Sequence, residues 1–522
     1  MKNAVDLSGR PFHFIGIGGI GMSALAYVLA KRNLPVSGSD ICLNEIMKRL
    51  EQQGAEIYTS QVATNLERYQ QALDEHSNHK AGVANAAAEV VSPAQHRSSV
   101  ESPEAKPDSL DVDPLSAGLP QIICSTAIHH NNSEFRAAQA MGCPIYHRSD
   151  LLAALMHEYE GIAIAGTHGK TTTSSMTGFL LLKAGLDPTI VVGGEVETWG
   201  GNAHVGNGAH LVAEADESDG SLVKLYPQIG VITNIELDHP DHYTSLDEVI
   251  HTFQQFAQQC GTLVGCWDCE TIRQHIPTDI SYSLNPQSGA DYTVDQVVLG
   301  AEGISARVWE RGQVLGTLTL SLLGRHNLSN ALAAIAIGRK LGLDFATIAK
   351  TLPQFVGARR RFEHRGEAHN IVFVDDYAHH PSEIRATLAA AQLRVQSHTS
   401  PQKRLVAVFQ PHRYSRTQAF WQEFAQSFAD ADWVVSSDIY SAGEPKPDTV
   451  SGEALAVAIA QHHPHVDFCA TLPDVTEHLK QMLKPGDLVL FLGAGNLNRV
   501  IPDLLNYYQS LDLGTLLLEA TG

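Results

Sequence analysis

The sequence predicts an α/β protein of three domains, each a largely parallel sheet covered by helices. Three observations carry this. The chain has 522 residues, too many for one ordinary core and suited to roughly three domains of 100–200 residues. Apolar runs of strand length alternate with helical stretches along most of it, the pattern of strand–helix–strand units. Two glycine-rich turns, Gly16-Ile17-Gly18-Gly19-Ile20-Gly21 and Gly166-Thr167-His168-Gly169-Lys170-Thr171-Thr172, each stand between such a run and a helix.

In the first domain, residues 1–157, the run 11–17 reads as a strand, 23–31 as a helix and 34–37 as the next strand. Residues 121–125 and 144–146 continue the same sheet. Between 65 and 120 hydrophobic periodicity disappears, and Pro93, Pro103, Pro107 and Pro114 punctuate the segment. Such a composition buries too little apolar surface to order itself, so a flexible insertion is expected there. The second domain, 158–356, opens with a strand at 160–166 and a helix at 171–184. Its strands 209–214 and 229–234 end in polar residues, as parallel strands do where ligands bind. A more antiparallel stretch, 291–323, leads to a helix at 327–341. The third domain, 357–522, has strands at 371–374, 405–409, 433–436 and 488–492.

Composition narrows the function classes. The 43% apolar and 18% charged fractions fit a globular chain. Thirty-six Lys+Arg against 57 Asp+Glu leave a charge of -21, which argues against a nucleic-acid partner. Seven scattered cysteines read as reduced thiols, and Cys260, Cys266, Cys269 and His275 lack the paired spacing of a zinc site. The stretch 11–30 carries no Lys, Arg, Asp or Glu, but its glycines fall mid-run where a strand–turn–helix needs them. A cytoplasmic protein with small-molecule partners and no membrane is therefore expected, as a monomer or weak homodimer.

The second glycine turn has the chemistry of a phosphate site. Glycines let backbone N–H groups close around phosphate oxygens, and the helix start adds a favourable dipole. Lys170 can reach the β- and γ-phosphates of ATP, and the Thr171 hydroxyl can ligate Mg²⁺. Ile164 stands where the strict P-loop pattern has its first glycine, so the loop is a variant. Glu214 ends an apolar strand, as a metal-holding acid should, and Asp216, Glu217 and Asp219 follow in what reads as a solvated turn. His239, beside Asp238 and Asp241 after the next strand, is a candidate second metal ligand. The first glycine turn fits G-x-G-x-x-G, with Asp40 about 20 residues on, and alone suggests a nicotinamide-dependent oxidoreductase. Its backbone nest accepts any pyrophosphate, including that of a UDP-sugar. A chain with both turns is better suited to joining two partners. In the third domain, clustered Arg and His after two strands can clamp a carboxylate or phosphate.

These motifs together resemble the ATP-dependent Mur ligases of peptidoglycan synthesis. The residues carrying the resemblance are His13 through Ser23, Ser37-Gly38-Ser39-Asp40, Gly166 through Thr172 and Glu214 through Asp219. Further along come Thr233-Asn234-Ile235-Glu236, Asp238-His239, His326-Asn327 with Asn330, and Asp375-Asp376-Tyr377 with His379-His380-Pro381. Phe409 through Arg413 and Gly493-Ala494-Gly495 complete the set. The resemblance implies an N-terminal Rossmann-like UDP-binding domain, a central P-loop ATPase domain with a parallel sheet, and a C-terminal Rossmann-like domain. It implies attachment of L-alanine to the carboxylate of UDP-N-acetylmuramate through an acyl phosphate, with ADP and phosphate released. Lys170, Glu214 and His239 are then catalytic, and Thr171, Glu214 and His239 hold Mg²⁺. Gly166, Thr167, His168, Gly169, Lys170, Thr171 and Thr172 with His326, Asn327 and Asn330 bind ATP. Gly16, Gly18, Gly19, Gly21, Ser39 and Asp40 hold the UDP end, and Tyr377, His379, Arg413 and Arg416 the amino acid.

Two departures stand out. No position suits the carbamylated lysine of several sister ligases, Lys224 being only nearby in sequence, and Ser60-Gln61 replaces a frequent Gly-His pair. A sister ligase that attaches another amino acid or recycles a whole tripeptide, the oxidoreductase, and a non-catalytic nucleotide switch are the alternatives.

Overall fold

The protein is seen in a computed structural model that describes residues 5–41, 43–71 and 118–521. It falls into two compact units, Met1–Leu155 and Met156–Gly522. The first unit holds β1 (Phe12–Ile15), β2 (Val36–Ser39), β3 (Glu56–Tyr58), β4 (Gln121–Cys124) and β5 (Ile145–His147). These pair in parallel in the order β3-β2-β1-β4-β5. Central β1 is buried along its whole length, as a parallel strand covered on both faces must be. The uncharged run 11–30 becomes this strand, the glycine turn and the helix Ile20–Lys31, which buries Leu25, Val28 and Leu29. Among the described residues no helix is long and apolar enough to cross a membrane.

Two sequence expectations shift here. The second strand begins at Val36 rather than 34, because Pro35 has no N–H and serves only through its carbonyl, which accepts from Phe12 N at 2.9 Å. The expected insertion starts later than 65. Leu66 and Tyr69 are buried in one cluster with Ile15, Ile122 and Phe135, so a polar stretch is pinned by two well-placed apolar side chains. Residues 72–117, the bulk of that segment, lie outside the described residues.

The second unit contains two sheets. One is built from β6 (Glu160–Ala165), β7 (Thr189–Val196), β8 (Gly201–His204), β9 (His210–Glu214), β10 (Ile229–Ile232), β11 (Thr262–Cys266) and β12 (Ile280–Ser283). The antiparallel β13 (Tyr292–Gly300), β14 (Gly303–Glu310) and β15 (Gln313–Leu320) extend it to ten strands. Its order is β15-β14-β13-β12-β11-β10-β6-β9-β7-β8. The other has β16 (Glu363–Ala368), β17 (Ile371–Asp376), β18 (Arg404–Phe409), β19 (Trp433–Ser437), β20 (Val466–Cys469) and β21 (Asp487–Leu492). It runs β16-β17-β21-β18-β19-β20 and is parallel except for β16. With the first sheet, this gives the expected three-domain α/β fold. β6 lies between β9 and β10, so the strand ends bearing Glu214 and Thr233 flank the phosphate turn, where open α/β sheets bind ligands.

Candidate active site

β6 delivers the chain into the turn 166–169, and the helix Lys170–Lys183 carries it away. Gly166 has φ +133°, and a Cβ there would lie 2.0 Å from Thr233 Oγ1, so no other residue fits. The end of β10 grips the turn. Asn234 Oδ1 accepts from His168 N at 2.8 Å, Asn234 Nδ2 donates to His168 O at 3.0 Å, and Thr233 Oγ1 donates to the same carbonyl at 2.6 Å. The loop is therefore preformed, its N–H groups needing no folding when an anion arrives.

Lys170 Nζ donates to the carbonyls of Gly166 at 2.7 Å and Thr167 at 3.1 Å, and to Glu217 Oε1 at 2.8 Å. Burial alone would lower its pKa, but Glu217, Asp216 and Glu214 outweigh it and raise it. Thr171 Oγ1 donates to Glu214 Oε2 at 2.9 Å, and Gly193 N donates to the same oxygen at 2.8 Å. Hard oxygen donors so close together suit a small divalent cation.

Sequence reasoning missed Glu217, which it left in a solvated turn. The side chain is 1% exposed, and besides Lys170 it faces His239 Nε2 at 3.5 Å. Its signal was present but weak: an acid three residues beyond a strand-end acid. Asp219, by contrast, accepts from Ser221 N at 3.0 Å and does the work of a turn acid. His239 sits with φ +54°, and its ring is 3.7 Å from Asp238 Oδ2. Burial lowers its pKa, yet Glu217 and Asp238 prevail and raise it. Of the three expected metal residues, Thr171 and Glu214 meet directly, whereas His239 is engaged through Glu217.

Beside the turn opens a cavity of about 530 Å³, lined by His168, Gly169, Asn234, Glu236, Asp268, His326, Asn327, Asn330, Phe362 and Glu383 among others. The predicted nucleotide residues thus converge. Asn327 Nδ2 donates to Leu323 O at 2.7 Å, and Asn330 Oδ1 accepts from Thr173 Oγ1 at 3.1 Å, which ties the helix Arg325–Lys340 to the phosphate helix. Burial drives His326 down to about 4, leaving a neutral ring on the cavity wall.

His168 does more than its place in the turn suggested. Its Nδ1 lies 3.1 Å from Glu383 Oε1 and its Nε2 3.4 Å from Glu236 Oε2. Burial lowers its pKa, but the hydrogen bonds and charges of Glu236 and Glu383 carry it up to about 10. Glu236 is held at about 2, burial being outweighed by His168. His168, Glu236 and His380 also form a group of metal-ligand geometry, with donor atoms within 4.8 Å of one another. The Nδ1 of His380 already accepts from Ser382 N at 3.2 Å, capping the helix Pro381–Val395. His168, paired with Glu236 and Glu383, thus joins the phosphate turn to that helix.

The residues expected at the amino-acid end cluster against the same region. Arg416 Nε donates to Asp238 Oδ1 at 2.9 Å, with the pair 3% and 5% exposed. Arg413 Nη1 donates to Asp241 Oδ2 at 2.6 Å across a more open pair. His379 Nδ1 lies 2.9 Å from Tyr377 O, and burial lowers its pKa to about 3. Tyr377 is stacked beneath the Arg360 and Arg361 guanidinium groups, 5.0 and 5.1 Å from its ring centre. Arg361 in turn donates to Thr171 Oγ1 at 3.3 Å.

In the first unit, Ser39 O accepts from Gly16 N at 2.8 Å and from Ile17 N at 3.0 Å. Asp40 Oδ2 accepts from Gly18 N at 2.9 Å, so Asp40 braces the glycine turn itself, a role the ribose rule did not anticipate.

Comparison with known proteins follows the same three-part division. The family model described as "Mur ligase family, catalytic domain" matches residues 11–160, "Mur ligase middle domain" 164–338, and "Mur ligase, glutamate ligase domain" 360–495. The chain is 56% identical over 514 residues to a UDP-N-acetylmuramate–L-alanine ligase of Crocosphaera subtropica, covering 98% of this chain and 97% of that one. A Synechococcus elongatus protein of the same name is 58% identical over 513 residues, with 97% and 98% covered. Among solved structures, a UDP-N-acetylmuramate–alanine ligase from Thermotoga maritima superposes with TM-score 0.74 at 27% identity, covering 96% of this chain and 99% of that one. A murein peptide ligase from Psychrobacter arcticus, at 20% identity and TM-score 0.65 with 96% and 99% covered, shares the fold. The strand–turn–helix with Lys170 and Glu214, its place in the sheet order, and full-length relatives all agree: this chain belongs to the Mur ligase family.

Proposed function

We propose that the chain uses ATP to join L-alanine to the carboxylate of UDP-N-acetylmuramate, a cytoplasmic step in making peptidoglycan precursor. The observation that carries this reading is the convergence of Lys170, Thr171, Glu214 and Glu217 on one preformed phosphate turn, in a chain whose full-length relatives carry that activity's name. In the first step a substrate carboxylate oxygen attacks the γ-phosphorus and ADP leaves. In the second the alanine amine attacks the acyl carbon, phosphate leaves and the amine proton goes to solvent or a nearby base.

Each residue has a part in that reading. The N–H groups of 169–172 and the Lys170 ammonium hold the phosphates and stabilise charge on the transferring group, while Gly166, Thr167 and His168 shape the turn, the last two anchored by their N–H groups to Asn234. Glu217 keeps Lys170 aimed at the turn and His239 beside it. Thr171 and Glu214 would hold Mg²⁺, which neutralises phosphate charge when bound. His326, Asn327 and Asn330 line the space for the nucleoside. Tyr377, His379, Arg413 and Arg416 form the amino-acid end, and Gly16, Gly18, Gly19, Gly21, Ser39 and Asp40 the UDP end. The nicotinamide reading gives Lys170 and Glu214 no work and falls away with membership of a ligase family.

The test is ADP release and product mass with UDP-N-acetylmuramate, ATP, Mg²⁺ and a panel of amino acids plus the recycled tripeptide. Turnover with L-alanine in preference to the rest is expected. No alanine-dependent product sinks the proposal, and preference for the tripeptide replaces it with the sister activity.

A further inference from the structure

Beneath the glycine turn of the first unit runs a chain of buried polar groups that the reaction does not use. Glu134, on the helix Ser133–Ala140, and His13, on β1, are both fully buried. Glu134 Oε1 accepts from His13 Nε2 and from Asn65 Nδ2, each at 2.8 Å, and its Oε2 accepts from the Ser39 hydroxyl. With the His13 proton on Nε2, Ser37 Oγ donates to His13 Nδ1 at 2.7 Å. Tyr69 Oη then donates to Ser37 Oγ at 2.8 Å, and Arg68 Nη2 to Tyr69 Oη at 2.7 Å. All the donors point one way, onto one carboxylate.

A buried charge with its partners is no more stabilising than apolar packing of the same volume. What the chain gains is what Glu134 holds. Ser39, bound to it by its hydroxyl, receives the Gly16 and Ile17 N–H groups on its carbonyl, and the next residue, Asp40, receives that of Gly18. Asn65, bound to it by its amide, also donates to Ser60 O at 2.7 Å and fixes the segment after β3. One carboxylate thus ties down both the floor of the turn and a neighbouring loop.

We infer that Glu134, supported by His13, is a positioning residue for the UDP end of the substrate, a role that rests on the function proposed above. It touches no substrate; through Ser39 it fixes the strand end to which the turn's Gly16, Ile17 and Gly18 N–H groups are anchored, and so the shape of the turn. This also accounts for the histidine that opens the motif His13-Phe14-Ile15-Gly16.

Calorimetric titration of UDP-N-acetylmuramate into the full-length protein tests this, with ATP affinity and thermal midpoint measured on the same samples. Glu134→Gln keeps the side-chain volume but removes the charge and puts an NH₂ in place of one acceptor oxygen, so that either Ser39 must turn its hydroxyl proton away or His13 and Asn65 lose their acceptor. Its Kd for UDP-N-acetylmuramate should rise at least about tenfold, with ATP affinity within about twofold of the unmodified protein. Asn65→Ala removes one donor and leaves the carboxylate, and a rise of about threefold is expected. A folded Glu134→Gln protein with unchanged Kd, or with both affinities falling together, overturns the inference. Should that variant not fold, Asn65→Ala decides alone, and an unchanged Kd overturns it. Failure of the unmodified protein to bind UDP-N-acetylmuramate overturns the functional reading instead, and is seen before any variant is compared.

Discussion

Lys170 shows how a buried cation can stay charged before a phosphate arrives. Its ammonium is surrounded by two carbonyls and the Glu217 carboxylate, so the proton is retained while the side chain can be handed to an incoming phosphate. Lys170→Ala should lower turnover by at least about 10²–10³-fold, the cost of losing one preorganised charge partner of a transition state, and leave UDP-N-acetylmuramate affinity unaltered. Steady-state ADP release and direct titration separate the two effects. Glu217→Gln tests the hub. Turnover should fall by about ten- to a hundredfold, because Lys170 loses its ion pair. The His239 ring, whose pKa the neighbouring carboxylates raise, should titrate at a lower pH in this variant when followed by NMR. An unmoved His239 titration would remove Glu217 from that role. The sequence marks Glu214 because it ends an apolar strand; nothing local says that Glu217 turns inward, since burial there depends on Lys170 and Tyr243 arriving from elsewhere.

At the scale of elements, the phosphate turn and the helix Pro381–Val395 act as one piece, since His168 bridges the first to Glu383 in the opening turn of the second. The stabilising contribution of His168 has a definite pH window. Its folded pKa, about 10, lies above the ordinary value near ~6.5, so the folded state holds a proton that the unfolded state releases between those values. The contribution is therefore complete below about pH 6.5 and is lost as pH rises toward about 10. His168→Gln should unfold at lower urea than the unmodified protein at pH 6, and the gap should close progressively by pH 10. A gap independent of pH contradicts the ion-pair account. Strand legibility followed the same physics. β6, β9, β10, β18 and β21 are largely apolar runs of strand length, and the sequence announces them. β7 was hidden by Gly193-Gly194, which break its pattern because Glu214 packs where a Cβ at Gly193 would sit, 2.5 Å away. β3, with only Glu56-Ile57-Tyr58, and β20, with Val466 through Cys469, are edge strands too short to show a period.

Across the whole second unit, ion pairs are among the contacts that join its two sheets, beside apolar packing by Leu237 and Phe362, and burial ranks them. Arg416 and Asp238, 178 positions apart, form a pair that is almost fully buried, whereas Arg413 and Asp241, 172 apart, are 33% and 41% exposed. Both arginines stood out in the sequence as clamp candidates, but sequence could not say which carboxylate each would meet, because such pairing is decided only when distant strands are assembled. Arg416→Met leaves Asp238 buried without its partner, and the expected loss is about 3–5 kcal/mol. Arg413→Met breaks a still shorter contact in water-accessible surroundings, where the loss should stay below about 1 kcal/mol and shrink further in salt. Urea unfolding of the two variants at low and high ionic strength measures the contrast. The catalytic readout should rank them differently: Arg413, freer to leave its carboxylate, is the one whose replacement raises the KM for L-alanine in protein that is still fully folded. Equal losses of stability in the two variants would mean that burial does not rank these joints.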